Sequence, residues 1–552
     1  MSKGRREKSN FIVQGSILAI ASILSRVIGL IYRIPMTNII GDVGNDYYAA
    51  AFEVYNIMLL ISCYSIPLSV SKIVSAYAAK GERKNIVRVF RCALIFASTT
   101  GLLAYGLLMA GSEFLTTTVL RTPQSIYALY VLAPTIIIFS IMGVIRGLFQ
   151  GMGTMMPTAF SQIIEQIINA VVSVGAAYFL FQYGMKIGGV LGDKKDYGAT
   201  YGAAGGTFGT TSGALVSLFF LLFILAVFWP SFKKQAKKDR GRNVDSYKDI
   251  LHIIIMTIIP VLLSTTLYNL SGLLEQIIYK NMALIVDIPK DEVKVAWGVY
   301  SGKIRLLLNV PVSIAASVSA SMVPSLTGAF TNDNMKLVRR KTNIAVRFVM
   351  LIALPCAVGM GVLAKPILML LFHEISPLAV HMLQLASFTI VFYSMSTLTN
   401  GILQGIDRMR IPVQNAIIAL FCQVLIAISL MFFLKMGIYG ILVSNIAYSV
   451  IMTGINSYAI RKHMRYRQEL KKTVFLPAFA SGMMGVAVHF CYQGMHQLIA
   501  YNPLDTMVSI LAGVVVYAFL IVLLKGVSKE EMESMPMGGR LSRILCKMHL
   551  MK

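Results

Sequence analysis

Long apolar runs, separated by short polar or basic stretches, fill the chain from residue 11 to residue 525. They fall near 11–34, 48–77, 87–111, 125–150, 157–183, 202–230, 251–279, 296–325, 343–365, 378–405, 411–435, 438–460, 473–496 and 504–525. Each is long enough to cross a hydrocarbon core about 30 Å thick as an α-helix. None shows the period-2 alternation of a barrel strand, and a backbone group left unpaired in lipid costs several kcal/mol, so helices are the expected form. The first run begins with Lys3, Arg5, Arg6 and Lys8 and continues past Arg26 and Arg33 without a small-residue cleavage site. It therefore reads as a first span rather than a removable signal.

Composition agrees with this pattern. The 552 residues are 56% apolar and 13% charged, with a mean hydropathy of +0.71; a soluble domain carries roughly 25% charged residues. The net charge of +26 would suit a nucleic-acid binder, but its distribution argues against one. The charge lies in short clusters between apolar runs, with no basic fold motif or aromatic stacking platform beside it. With the N-terminus placed in the cytoplasm, inner segments hold 36 of the 50 Lys and Arg and outer loops hold 9. That bias is the positive-inside signature, and it puts both termini inside. Six cysteines (Cys63, Cys92, Cys356, Cys422, Cys491, Cys546) stand singly, without CxxC or Cys/His ligand spacing. They support neither a disulfide framework nor a zinc site.

Two basic linkers, KKQAKKDRGR at 233–242 and RKHMRYRQELKK at 461–472, divide the runs as six, six and two. The two sixes carry an ordered repeat. RGLFQGMGTMMP (146–157) matches NGILQGIDRMRIP (400–412), IPLSVSKIVS (66–75) matches VPVSIAASVS (310–319), and Tyr201-Gly202 matches Tyr439-Gly440. The expected divisions are 1–232 (first six-helix lobe), 233–250 (basic linker), 251–460 (second lobe), 461–472 (second linker), 473–526 (two extra helices) and 527–552 (cytoplasmic tail). Parallel repeats of this kind are a transporter plan with the substrate site between the halves.

Charges inside the runs are the candidate chemistry, because each costs about 2.5–3.5 kcal/mol at a helix centre. The cations are Arg26, Arg33, Lys72, Lys303 and Arg305, and the acids are Glu53, Glu165 and Glu275. Five against three leaves positive charge over, and the Arg fork suits phosphate. Arg26 and Arg33, seven apart, share a helix face. Other readings stand beside this one. Arg33 and Lys72 can snorkel to an interface, and Lys303 and Arg305 can pair with Glu53 or Glu275 for structure alone. Glu165 lies in a polar stripe (161, 162, 165, 166, 169) that suits interhelical hydrogen bonding. GAAGGTFGTTSG at 202–213 reads as a small-residue packing face. No nucleophile–base constellation, phosphate loop or metal set is seen, so enzymatic chemistry is not expected.

SRVIGLIYRIPMTNIIG (25–41), SIPLSVSKIVSAYAAKGE (65–82), RGLFQGMGTMMPTAFSQIIEQI (146–167), SMVPSL (321–326) and LQGIDRMRIPVQNAII (403–418) together resemble the SpoVB and MurJ-type branch of the MOP exporter superfamily. The resemblance implies an all-α integral membrane fold of 14 transmembrane helices: two pseudo-symmetric six-helix lobes around a V-shaped central cavity, plus two C-terminal helices. It implies a flippase carrying an undecaprenyl-pyrophosphate-linked glycan, lipid II first, from the inner to the outer leaflet. Arg26, Arg33 and Arg305, with Lys303 and Lys72, would line a cationic cavity. Glu53, Glu165 and Glu275 are gate or ion-coupling candidates, and Arg33, Glu53, Glu275, Lys303 and Arg305 would form an outer gate. No cofactor is expected; Na⁺, H⁺ or the membrane potential would supply energy. The expected partners are the lipid-linked substrate, membrane lipids and cell-wall synthesis enzymes, around a monomer in the bacterial cell membrane. The rival readings are a Na⁺- or H⁺-coupled multidrug exporter, an exporter of teichoic, capsular or O-antigen-like lipid-linked oligosaccharide, and a non-transporting envelope scaffold.

Overall fold

The computed structural model describes residues 2–237, 239, 244–466 and 468–524. The tail expected at 527–552, Cys546 and most of the 238–243 linker segment lie outside the described residues. The described chain is helical, in two compact units, Met1–Gly302 and Lys303–Lys552. Their boundary falls inside a wide helical turn, Tyr300–Ile304.

The first unit holds α1 (Ser2–Leu59), α2 (Ile66–Ala79), α3 (Arg83–Glu113), α4 (Ser125–Gly151), α5 (Met156–Leu191), α6 (Lys194–Lys237), α7 (Tyr247–Ile285) and α8 (Lys290–Val299). Its core is continuous, from Met36 and Ile40 on α1 through Leu129 and Ile136 on α4 to Ile250 and Ile254 on α7. The helix α7, which the basic linker assigned to the second six, packs here against α1, α2 and α3.

The second unit holds α9 (Arg305–Thr331), α10 (Met335–Val362), α11 (Ala364–Phe372), α12 (Pro377–Gly405), α13 (Arg410–Phe433), α14 (Ile438–Met464), α15 (Leu476–Leu498) and α16 (Asn502–Leu523). Its buried apolar residues form separate clusters. One joins α9, α10 and α12 around Leu326, Val349 and Leu398, and others join α13 to α14 and α10 to α15. The last two helices attach along α10 and α11.

Among the described residues, 12 helical stretches are long and apolar enough to cross a membrane. Two expected segments account for the difference from fourteen. The stretch Ile20–Ala79 spans 60 residues and takes in both of the first two runs, about three times the length one crossing needs. The run at 251–279, within α7, is not among the twelve. Large apolar side chains such as Leu103, Leu107, Phe223 and Val227 point outward, as lipid-facing helices allow.

The break between the first two runs is Gly41, at φ 69° and ψ −177°, a region essentially open to glycine alone. Close approaches explain the repeated glycines. A Cβ on Gly147 of α4 would lie 2.8 Å from the Pro67 carbonyl and Val70 of α2, and one on Gly401 of α12 would meet Ser319 of α9. The matched segments of the repeat therefore pack on each other within their own units. The small-residue face of α6 packs on α5, where a Cβ on Gly213 would lie 2.5 Å from the Glu165 carbonyl.

Candidate functional site

The charged side chains of the first unit fall into three settings. The first is an aromatic cradle. Arg33, half-buried on α1, donates weakly to the Tyr48 hydroxyl at 3.4 Å. Its guanidinium lies 5.4 Å from the Tyr48 ring centre and 5.5 Å from that of Phe52. Faces of aromatic rings attract a cation without neutralising it. Among the described residues no carboxylate bridges Arg33. Arg26 is exposed two turns earlier on α1, and Lys72 is exposed on α2.

The second setting is the α4–α5–α6 junction. Arg146 reaches Glu165 at 2.9 Å and also donates to the Ser161 and Ser217 hydroxyls. Arg146, one of the 36 Lys and Arg that the sequence counts to the inner side, lies inside α4 and is buried. Glu165 also faces a cavity of about 200 Å³ lined by Tyr32, Tyr55, Asn56, Gln166 and Asn169. Asn169 donates to the Tyr32 hydroxyl at 3.2 Å, tying α5 to α1.

The third setting joins distant parts of the unit. Lys280 of α7 bridges both oxygens of Asp46 on α1 at 2.6 Å, and both side chains are almost wholly buried. Glu275, one turn before, accepts from Ser271 at 2.9 Å and from Tyr300 at 3.4 Å. Lys294 of α8 bridges Asp196 of α6 at 3.3 Å, and the Tyr47 hydroxyl donates to the same carboxylate. Glu53 is half-buried on α1.

In the second unit Lys303 is buried and bridges Glu374 at 2.6 Å. That carboxylate, after α11, was not among the expected partners of Lys303. Burial alone would raise the Glu374 carboxyl. The Lys303 ammonium and the Ser376 N–H, 2.8 Å away, together outweigh it and hold the group below the ordinary carboxylate range. Arg305 is half-buried at the start of α9. The site residues that sequence reasoning missed are Asp46, Arg146, Lys280 and Glu374. Lys280 sits just past the apolar run at 251–279, and Asp46 and Glu374 stand two and four residues before the runs at 48–77 and 378–405, where a span end looks like a loop.

Known proteins share this architecture. A family model described as polysaccharide biosynthesis protein matches residues 12–330, and a second, MatE, matches 306–433. The chain is similar to the lipid II flippase MurJ of Bacillus subtilis (strain 168), 23% identical over 90% of this chain and 91% of that one. It is also similar to stage V sporulation protein B of the same organism, 23% identical over 97% of this chain and 99% of that one. A solved structure of the lipid II flippase MurJ in an inward closed conformation superposes with a TM-score of 0.66, at 14% identity, covering 92% of this chain and 98% of that one. The chain belongs to the polysaccharide biosynthesis protein family, within the SpoVB and MurJ-type branch of the MOP exporter superfamily.

Proposed function

We propose that the chain is a flippase that carries an undecaprenyl-pyrophosphate-linked glycan, lipid II first, from the inner to the outer leaflet by alternating access. In this reading it crosses the membrane fourteen times, with both termini in the cytoplasm. It catalyses no bond chemistry and draws on an ion gradient, the membrane potential or downstream consumption of the product.

The observation that carries the reading is the unequal treatment of the buried cations. Lys280, Lys303 and Arg146 are each neutralised by a carboxylate, whereas Arg33 is held by aromatic faces that leave its charge available. A guanidinium so held, on the same helix face as Arg26, suits a pyrophosphate. The named activity of the MurJ relative and the family match support the substrate class.

The MatE match over 306–433 favours a second reading, a multidrug exporter. A cationic face disfavours cationic drugs, so the two separate on binding. The test is native mass spectrometry of the purified protein with lipid II, beside Arg33→Ala and Arg26→Ala. We expect a lipid II adduct that weakens about tenfold or more in Arg33→Ala, the effect of losing one charged contact to phosphate. If the wild type ignores lipid II but binds an undecaprenyl-linked teichoic or capsular precursor, the substrate changes and the reading narrows to that glycan. Binding to no polyprenyl lipid, with cationic drugs bound instead, would overturn it.

A further inference from the structure

A cavity in the second unit is lined by none of Lys303, Arg305 and Glu374. It has a volume of about 600 Å³ and lies between α10, α12, α14 and the segment that leads from α14 to α15. Its buried floor is mostly apolar, formed by Val346, Met395, Ile402 and Ile460, and the Thr399 hydroxyl beside them is bonded within its own helix. The Thr342 hydroxyl is fully buried there and has no hydrogen-bond partner among the described residues. An unmet hydroxyl in an apolar wall is costly, so a position of this kind calls for an occupant that satisfies it.

The mouth has the opposite character. Arg461, exposed at the last turn of α14, lines the cavity and makes no hydrogen bond or ion pair with the described residues. Tyr466 and Gln468 stand beside it, and Tyr458 and Leu470 present large exposed surfaces. Tyrosines beside a free arginine at the end of a spanning helix are interfacial chemistry.

The covering segment is held in place by three ties from one face of α10. Arg339 donates to the Met464 carbonyl at 2.8 Å, the Tyr466 hydroxyl donates to Asn343 at 3.1 Å, and Arg347 bridges Glu469. Residues 339, 343 and 347 recur every four positions, so they form a single ridge. The ridge pins the segment above the cavity rather than letting it collapse onto α12 and α14. Burial beside the Glu469 carboxylate pushes the Tyr466 phenol up to about 12, so it remains a neutral donor and acceptor.

We infer that this cavity is a binding site for an anionic phospholipid. The head phosphate meets Arg461 and Tyr466, the ester region meets Thr342, and an acyl chain lies on Val346, Met395 and Ile402. Clusters of basic residues beside a spanning helix are a recurrent anionic-lipid signal. What is specific here is one free arginine over a half-apolar pocket with an unmet hydroxyl on its floor.

A chain of net charge +26 attracts anionic lipid everywhere, so the test must separate this site from diffuse charge. Native mass spectrometry of the full chain would compare the first phosphatidylglycerol adduct with a phosphatidylcholine adduct, in the wild type, Arg461→Gln, Thr342→Val and Lys462→Gln. Lys462 is the neighbouring cation outside the cavity lining. We expect phosphatidylglycerol to be favoured by about tenfold, the scale of one charge-assisted contact. Arg461→Gln should abolish the preference, and Thr342→Val, at the ester region both lipids share, should weaken both adducts and keep the preference, with Lys462→Gln unchanged and melting of the lipid-free variants as in the wild type. Should Arg461→Gln fold poorly, Arg461→Lys and Thr342→Val carry the test. Equal losses in Lys462→Gln and Arg461→Gln would overturn the site in favour of general surface charge. Competition by millimolar inorganic phosphate would overturn the lipid in favour of a free anion.

Discussion

The junction of α4, α5 and α6 in the first unit and that of α12, α13 and α14 in the second occupy matching positions of the sequence repeat, yet they are built from different chemistry. At the first, Arg146 opens the RGLFQG motif and pairs with Glu165, with Ser161 and Ser217 filling the remaining donors. At the second, Asn400 opens NGILQG, and Asn456 donates to Asn400 at 2.7 Å and to Thr399 at 3.1 Å while accepting from Asn415 at 2.8 Å. Both tie three helices together through buried polar groups. One does so with a neutralised ion pair and the other with amides that never carry charge. An ion pair in an apolar setting fails badly when halved, whereas an amide network loses its bonds one at a time. The first junction therefore carries a brittle linkage and the second a graded one.

The largest break should follow Glu165→Ala, which leaves Arg146 facing two hydroxyls. Loss of one partner of a buried pair costs about 3–5 kcal/mol, to be read as a fall in melting temperature of the purified protein. Asn456→Ala should cost less, about 1–3 kcal/mol, because three neutral bonds are lost and the freed groups can find one another. Replacing the pair together, Arg146→Met with Glu165→Leu, should recover most of the single-mutant loss, since well-packed apolar replacements of buried pairs are often neutral or better. If the double variant is as unstable as Glu165→Ala, the contrast between the junctions is not electrostatic.

The smallest effect concerns the carboxylate that neutralises Lys303. Glu374 titrates below its ordinary value in the folded protein. Its contribution is thus present above the unfolded carboxyl value of about 4.3 and is lost as pH falls through the lower folded value. Melting curves between neutral and acid pH should show a shallow decline that Glu374→Gln abolishes. A decline of the same slope in the variant would assign it to other groups.

Much of this was legible in the sequence. The apolar runs mark the helices, and the repeat segments point to the glycines at 147 and 401 that admit α2 and α9. Arg33 stands out as a cation within an apolar run. What escaped is where helices outlast their apolar runs. The run at 251–279 belongs to a helix that continues to Ile285, so Lys280 looked like a loop residue although it is buried against Asp46. Arg146 looked like a cytoplasmic charge because its partner lies 19 residues on, across a turn. Hydropathy reports the cost of a charge in lipid but is blind to the partner that offsets it. Asp46 and Glu374 are partners of that kind, and single-chain periodicity cannot locate them.

Asp46 and Lys280 are separated by 234 positions. At about 5–20 residues per second of synthesis, roughly 10–50 s pass between the ribosome adding one and adding the other. Throughout that interval the carboxyl on α1 has no lysine to meet. It must wait protonated, or in contact with water or a helper protein, before the first unit can close around it. The order in which the protein is made thus leaves this buried pair among the last contacts of that unit to form, and a chain stalled before α7 would hold an incomplete unit with the Asp46 carboxyl unmatched.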